Sequence, residues 1–155
     1  MEDQLVTFLR TRKERTTGPA VNWEEKKREW IRSVQALYEY VKALLRESIE
    51  SNDVIVQIVD MVVSEEFVGE YTIPALQLIV GGERVQFLPK GVNVIGASGR
   101  VDIRGDLGTV TLLRDRPEVD SGWTVVLQRA PRLTTAPLDS NTLKFALEQV
   151  LTPLP

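Results

Sequence analysis

Apolar residues recur along this chain with two periods, and the change from one to the other divides it. Over residues 2–15, Leu5, Phe8 and Leu9 stand at i, i+3 and i+4, which predicts a short helix with one narrow apolar face. Glu2 and Asp3 at its start and Arg10, Arg12, Lys13 and Arg15 at its end suit the helix dipole. Thr16-Thr-Gly-Pro19 breaks it. Asn22 is a good N-cap for a second helix, and Glu25 completes a box-like signature. Trp30, Val34, Leu37, Val41 and Leu44 form its stripe, widened by Ile31, Tyr38 and Leu45. The helix is expected to run to about Ser51, where Ser51-Asn-Asp53 stops it. A stripe that wide favours packing on a sheet or another helix; the alternative is a homodimer seam through helix 22–51.

From Val54 the period falls to two. Val54 to Val63 is β-branched and apolar on both alternating faces, which predicts a central strand, covered on both sides, beneath the long helix. Asp60 interrupts it and is expected at a bulge or where the strand leaves its cover. Ala75–Val80 and Glu83–Leu88 flank Gly81-Gly82, a two-residue hairpin signal. Pairing Val80 with Glu83 sets Leu78 against Val85 and Leu76 against Phe87, all on one face, and a one-residue slip would destroy that match. Val92–Ile95 reads as a short strand and Gly96-Ala-Ser-Gly99 as a bend. Arg100–Arg104 and Thr109–Leu113 form a second hairpin around Gly105-Asp-Leu-Gly108, with Ile103 against Val110 and Val101 against Leu112. The opposite face, with Arg100, Asp102, Arg104, Thr109 and Thr111, is expected to be wet. Trp123–Gln128 reads as the last strand, and residues 130–137 as extended because of their prolines. Asp139 or Ser140 then caps a closing helix with Leu143, Ala146, Leu147, Val150 and Leu151 inward, and Leu138 stapled to Leu143.

The fold class is therefore α+β: an N-terminal helical hairpin, an antiparallel meander or rolled sheet of about six or seven strands, and a C-terminal helix. The 155 residues suit one domain, divided into a helical arm (1–51), a sheet (52–130) and a closing helix (138–153).

Composition narrows the chemistry. The chain has no Cys and no His. That excludes a disulfide framework, thiolate or imidazole metal ligands, a cysteine nucleophile and Ser-His-Asp catalysis. No catalytic motif, cofactor motif or metal-ligand spacing is recognisable, so the expectation is a non-enzyme without cofactor or metal. A net charge of −3 argues against a nucleic-acid partner. No signal peptide and no apolar run of membrane-spanning length are read, so a cytoplasmic protein without a membrane partner is expected.

The candidate polar site is the bend and strand of Gly96–Arg104. Ser98, Arg100, Asp102 and Arg104 could face a phosphate or other small anion there, although known phosphate loops run from a strand into a helix, and this one runs into a strand. Arg104-Gly-Asp106 matches an adhesion tripeptide that also fits a plain turn. Asp102, Asp106, Asp115, Glu118 and Asp120 lack calcium-loop spacing. Trp123, at the edge of a loop, is the candidate ligand platform or hot spot for a partner; the alternative is a core residue at a strand start. The leading expectation is a non-catalytic interaction module acting through its sheet face and loops, its partner a protein, either another chain or a second copy. A small-molecule or phosphate binder, with weak catalysis at most, is the alternative.

Overall fold

A computed structural model describes residues 3–17, 22–92, 99–114 and 122–154, with the backbone alone for 11–17. The elements run α1 (Gln4–Thr17), α2 (Trp23–Leu44), α3 (Arg46–Glu50), β1 (Ile55–Glu65), β2 (Gly69–Val80), β3 (Glu83–Gly91), β4 (Arg100–Gly105), β5 (Gly108–Leu113), β6 (Thr124–Gln128), β7 (Thr134–Pro137) and α4 (Ser140–Val150). The seven strands form one antiparallel sheet in the order β1-β2-β3-β4-β5-β6-β7, a meander. This is the α+β architecture the pattern predicts.

Both central hairpins have the predicted register. Leu76 faces Phe87, Leu78 faces Val85 and Val80 faces Glu83. Ile103 faces Val110 and Val101 faces Leu112. Gly81 and Gly82 adopt φ of 56° and 86°, the left-handed pair that a tight hairpin turn requires. Leu76, Phe87, Ile103 and Val110 thus form one apolar row across the sheet, and α2 and α4 cover it in a single core. From α2 come Trp30, Val34, Leu37, Tyr38 and Val41; from α4 come Leu143, Ala146 and Val150. Full burial of each large apolar side chain contributes roughly 1.5–3 kcal/mol. The centre of the α2 stripe, Trp30, Val34, Leu37, Tyr38 and Val41, is buried in this core.

The helix ends follow their capping residues. Asn22 Oδ1 accepts from Glu25 N–H at 3.0 Å. Asp139 Oδ1 accepts from Thr142 N–H at 2.9 Å, and Thr142 Oγ1 accepts from Asp139 N–H at 2.8 Å, so Asp139 is the cap. The long helix is interrupted at Leu45, and α3 carries it to Glu50. Tyr40 Oη donates to Leu138 C=O at 2.9 Å and ties α2 to the residue before that cap.

Three expectations are corrected. The run 54–63 is neither central nor covered on both faces: β1 is an edge strand, and Ile55, Ile58, Val59 and Val62 are exposed. A meander leaves its first strand at an edge, so a central β1 was incompatible with the topology itself. Asp60 sits in mid-strand opposite Pro74 with no bulge in the β1–β2 ladder. Residues 124–128 are not the last strand, because β7 pairs beyond them, Val125 with Ala136. The expected strand 92–95 falls mainly outside the described residues.

Candidate functional site

The polar row of β4 and β5 is the first place to look, and it is largely closed. Arg100 Nε donates to Asp102 Oδ1 at 2.8 Å and Arg100 Nη2 to Asp102 Oδ2 at 3.0 Å, a bidentate pair. Thr111, directly across the ladder, donates through Oγ1 to Asp102 Oδ1 at 3.2 Å and accepts from Arg129 Nη2 at 2.5 Å. Arg100 and Thr111, from adjacent strands, thus converge on one carboxylate, and Arg129 is bonded to it only through the Thr111 hydroxyl. Asp102 is 4% exposed and Thr111 is also buried, so the expectation of a wet face is corrected here. The hydrogen bonds from Arg100 to Asp102 hold the guanidinium pKa above its ordinary value. The network uses the Asp102 oxygens internally, as a buried carboxylate must.

The remaining sequence candidates do not gather around it. Ser98 and the bend at 96–98 lie outside the described residues. Arg104 falls in a different row, between Gln86 and Thr109. It is exposed and lines a shallow cavity of about 420 Å³ with Ile79, Glu83, Arg84, Gln86 and Asp106. Trp123 is 2% exposed, its ring 5.8 Å from that of Trp30, which places it in the core and not on a surface. Gly99 allows that packing, because a Cβ there would collide with the Trp30 ring. Gly105 of the adhesion-like tripeptide is explained by close approach to the α4 carboxyl end: a Cβ would strike Val150, and Leu107 N–H donates to Val150 C=O at 3.1 Å. Asp115, Glu118 and Asp120 lie outside the described residues. Among those described, no group of three or more acidic side chains could hold a metal ion.

The surface that sequence reading missed is the outer edge of β1. Val80 and Glu83 close a two-residue turn, and the pair closing such a turn is hydrogen-bonded. The even-numbered residues of β2 in this ladder therefore point N–H and C=O toward β3, and the odd-numbered ones toward β1. Pro74, which lacks an N–H, belongs to the first set, and its C=O accepts from Tyr38 Oη at 2.7 Å. Asp60, opposite Pro74, consequently points its own N–H and C=O away from β2. So do Val56, Ile58, Val62 and Ser64.

Among the described residues no other element pairs with this edge. Its eleven residues span about 36 Å. They contain no Pro, Lys or Arg, and the β1–β2 register is continuous, so the usual devices that blunt an edge are missing apart from Asp60. Ile58 is 50% and Val62 61% exposed. Beyond the strand, Phe67 is also exposed and stacks on Trp23 at 5.7 Å. The signal available in sequence was the meander order together with Gln57, Asp60 and Ser64, polar positions that a doubly covered strand would not carry.

No protein-family model, curated protein or solved structure matches this chain. No helix among the described residues is long and apolar enough to cross a membrane.

Proposed function

We propose that this chain is a non-catalytic protein-interaction module of the cytoplasm, and that it binds through the open β1 edge of its sheet. One observation carries the reading. The strand with the most exposed aliphatic side chains is also an edge of the sheet, with the backbone groups of Val56, Ile58, Asp60, Val62 and Ser64 turned outward. Exposed aliphatics beside unpaired backbone groups are what strand addition by a partner uses: backbone hydrogen bonds supply affinity, and alternate side chains supply selectivity. The test is affinity capture with the wild-type chain and with the double substitution Ile58→Lys, Val62→Lys, which charges the edge without touching the core. Partners held by the wild type and lost by the double variant, at unchanged melting temperature, support the reading. Partners held equally by both move the interface elsewhere and overturn it.

A second reading, binding of a small anion, draws support from Arg84 and Arg104 lining the same hollow. It requires that nucleotides or sugar phosphates raise the melting temperature of the wild type and not of Arg84→Ala, Arg104→Ala. No shift in the wild type removes it.

A further inference from the structure

We infer that the occupant of the β1 edge is an extended segment of a different protein carrying Lys or Arg opposite Asp60, with aliphatic residues two positions to either side. This rests on the interaction reading above and assigns the chemistry of the partner.

A single charge interrupts an otherwise neutral run in β1. From Ile55 to Ser64, Asp60 is the one ionisable residue, and it stands at the centre of the eleven-residue strand. It is exposed, and across the ladder it faces Pro74, which has no donor to offer it. No hydrogen bond or ion pair within the described residues engages its carboxylate. Its N–H and C=O point to the open side, so a strand added there would place one residue directly opposite Asp60 in a hydrogen-bonded pair. The two side chains would lie on the same face, within reach of each other. Ile58 and Val62 flank Asp60 on that face, and each would meet the residue two positions from the central one.

A second copy of this chain satisfies these demands poorly. The antiparallel self-pairing that uses the whole strand sets residue 55 against 65, Ile58 against Val62, and Asp60 against Asp60. Like charges directly opposite each other destabilise a strand pair. Sliding the copies by one pairing step removes that clash but sets Asp60 against Ile58 and strands the carboxylate among aliphatics. A central carboxylate thus discourages self-pairing, which is how natural sheets protect their edges. It leaves the full-length register open to a strand with a complementary cation.

The experiment uses the intact chain and two capped peptides, Ser-Thr-Ile-Thr-Lys-Thr-Ile-Thr-Ser and the same sequence with Glu at its centre. Each is titrated into ¹⁵N-labelled wild-type protein and into Asp60→Lys, to about 2 mM, enough to detect dissociation constants of about 1 mM. The expected result is a set of shifts at the amides of Val56, Ile58, Asp60, Val62 and Ser64, and roughly fivefold tighter binding of the Lys peptide. Asp60→Lys should reverse the preference toward the Glu peptide. If both peptides bind the edge equally in both proteins, the charge assignment falls and the interaction reading stands. If neither peptide shifts those amides, or the shifts lie elsewhere, both fall. If translational diffusion shows the free chain to be a dimer whose β1 amides are already protected, a second copy is the occupant and the inference is overturned.

Discussion

Strands β1 and β4 belong to one antiparallel sheet, and each has a composition suited to the other's place. β1, Ile-Val-Gln-Ile-Val-Asp-Met-Val-Val-Ser-Glu, stands at the open edge with most of its aliphatics in solvent. β4, Arg-Val-Asp-Ile-Arg-Gly, stands in the middle with a strand on either side, and its Asp102 is buried. Hairpin connectivity fixes the rank of a strand in a meander; composition only determines how it copes with that rank. β4 copes by building a bidentate ion pair, closed by Thr111 and Arg129, over polar atoms that would otherwise be stranded. β1 leaves its apolar surface and backbone groups open, and that mismatch is why we assign it the binding role.

The contrast can be broken by matched substitutions. The largest expected effect is in the centre: Ile103→Ala, at a fully buried position, should cost about 3 kcal/mol, whereas Ile58→Ala on the edge should cost less than about 1 kcal/mol, both read from denaturant midpoints. Comparable losses would mean that β1 is covered. Next come the carboxylates. Asp102→Ala leaves Arg100 and Thr111 without their shared acceptor and should cost about 2 kcal/mol, whereas Asp60→Ala should change stability by no more than about 0.5 kcal/mol. An Asp60→Ala chain should instead self-associate more readily, detectable by light scattering. Monomeric behaviour at every concentration would show that Asp60 is not what keeps the edge single.

A smaller effect, with a pH signature, comes from the tyrosines that fasten the sheet beside β1. Tyr38 Oη donates to Pro74 C=O at 2.7 Å, and Tyr71 donates to Glu65, whose other oxygen accepts from Val92 N–H at 3.0 Å. Burial pushes the Tyr38 phenol above its ordinary range, only partly offset by a backbone hydrogen bond. Burial also raises Tyr71, reinforced by its hydrogen bond to Glu65. Both phenols stay protonated in the folded chain at a pH where the unfolded chain has begun to ionise. Their contribution is therefore complete below about pH 10 and is lost as pH rises above it, by up to about 1.4 kcal/mol per pH unit for each tyrosine. Tyr38→Phe should cost about 1 kcal/mol near neutrality and flatten that alkaline decline. An unchanged slope would mean that Tyr38 already ionises freely.

Much of this fold was legible because local rules and global packing agreed. Gly81-Gly82 and Gly105–Gly108 each sit between strands whose apolar residues match in only one register, so both hairpins could be paired residue by residue. Asn22 and the spacing from Trp30 to Leu44 defined α2, and Asp139 with Leu143, Ala146 and Val150 defined α4. The candidate site was less legible, because burial depends on neighbours distant in sequence. Arg129 over Thr111 and Trp30 against Trp123 are such contacts. They turned an expected wet face into a closed network and decided between the two readings of Trp123 in favour of the core. The exposure of β1 was hidden for a related reason: apolar alternation reports that a strand seeks contact, without saying whether the contact comes from its own chain or from another.

The binding role requires an open side on β1, and residue-resolved hydrogen exchange on the dilute, free chain tests that directly. The amides of Val56, Ile58, Asp60, Val62 and Ser64 should exchange orders of magnitude faster than those of Gln57, Val59, Met61 and Val63, which are bonded to β2. Uniform protection along residues 55–65 would mean that the edge is already covered, and the binding role assigned to it would fall.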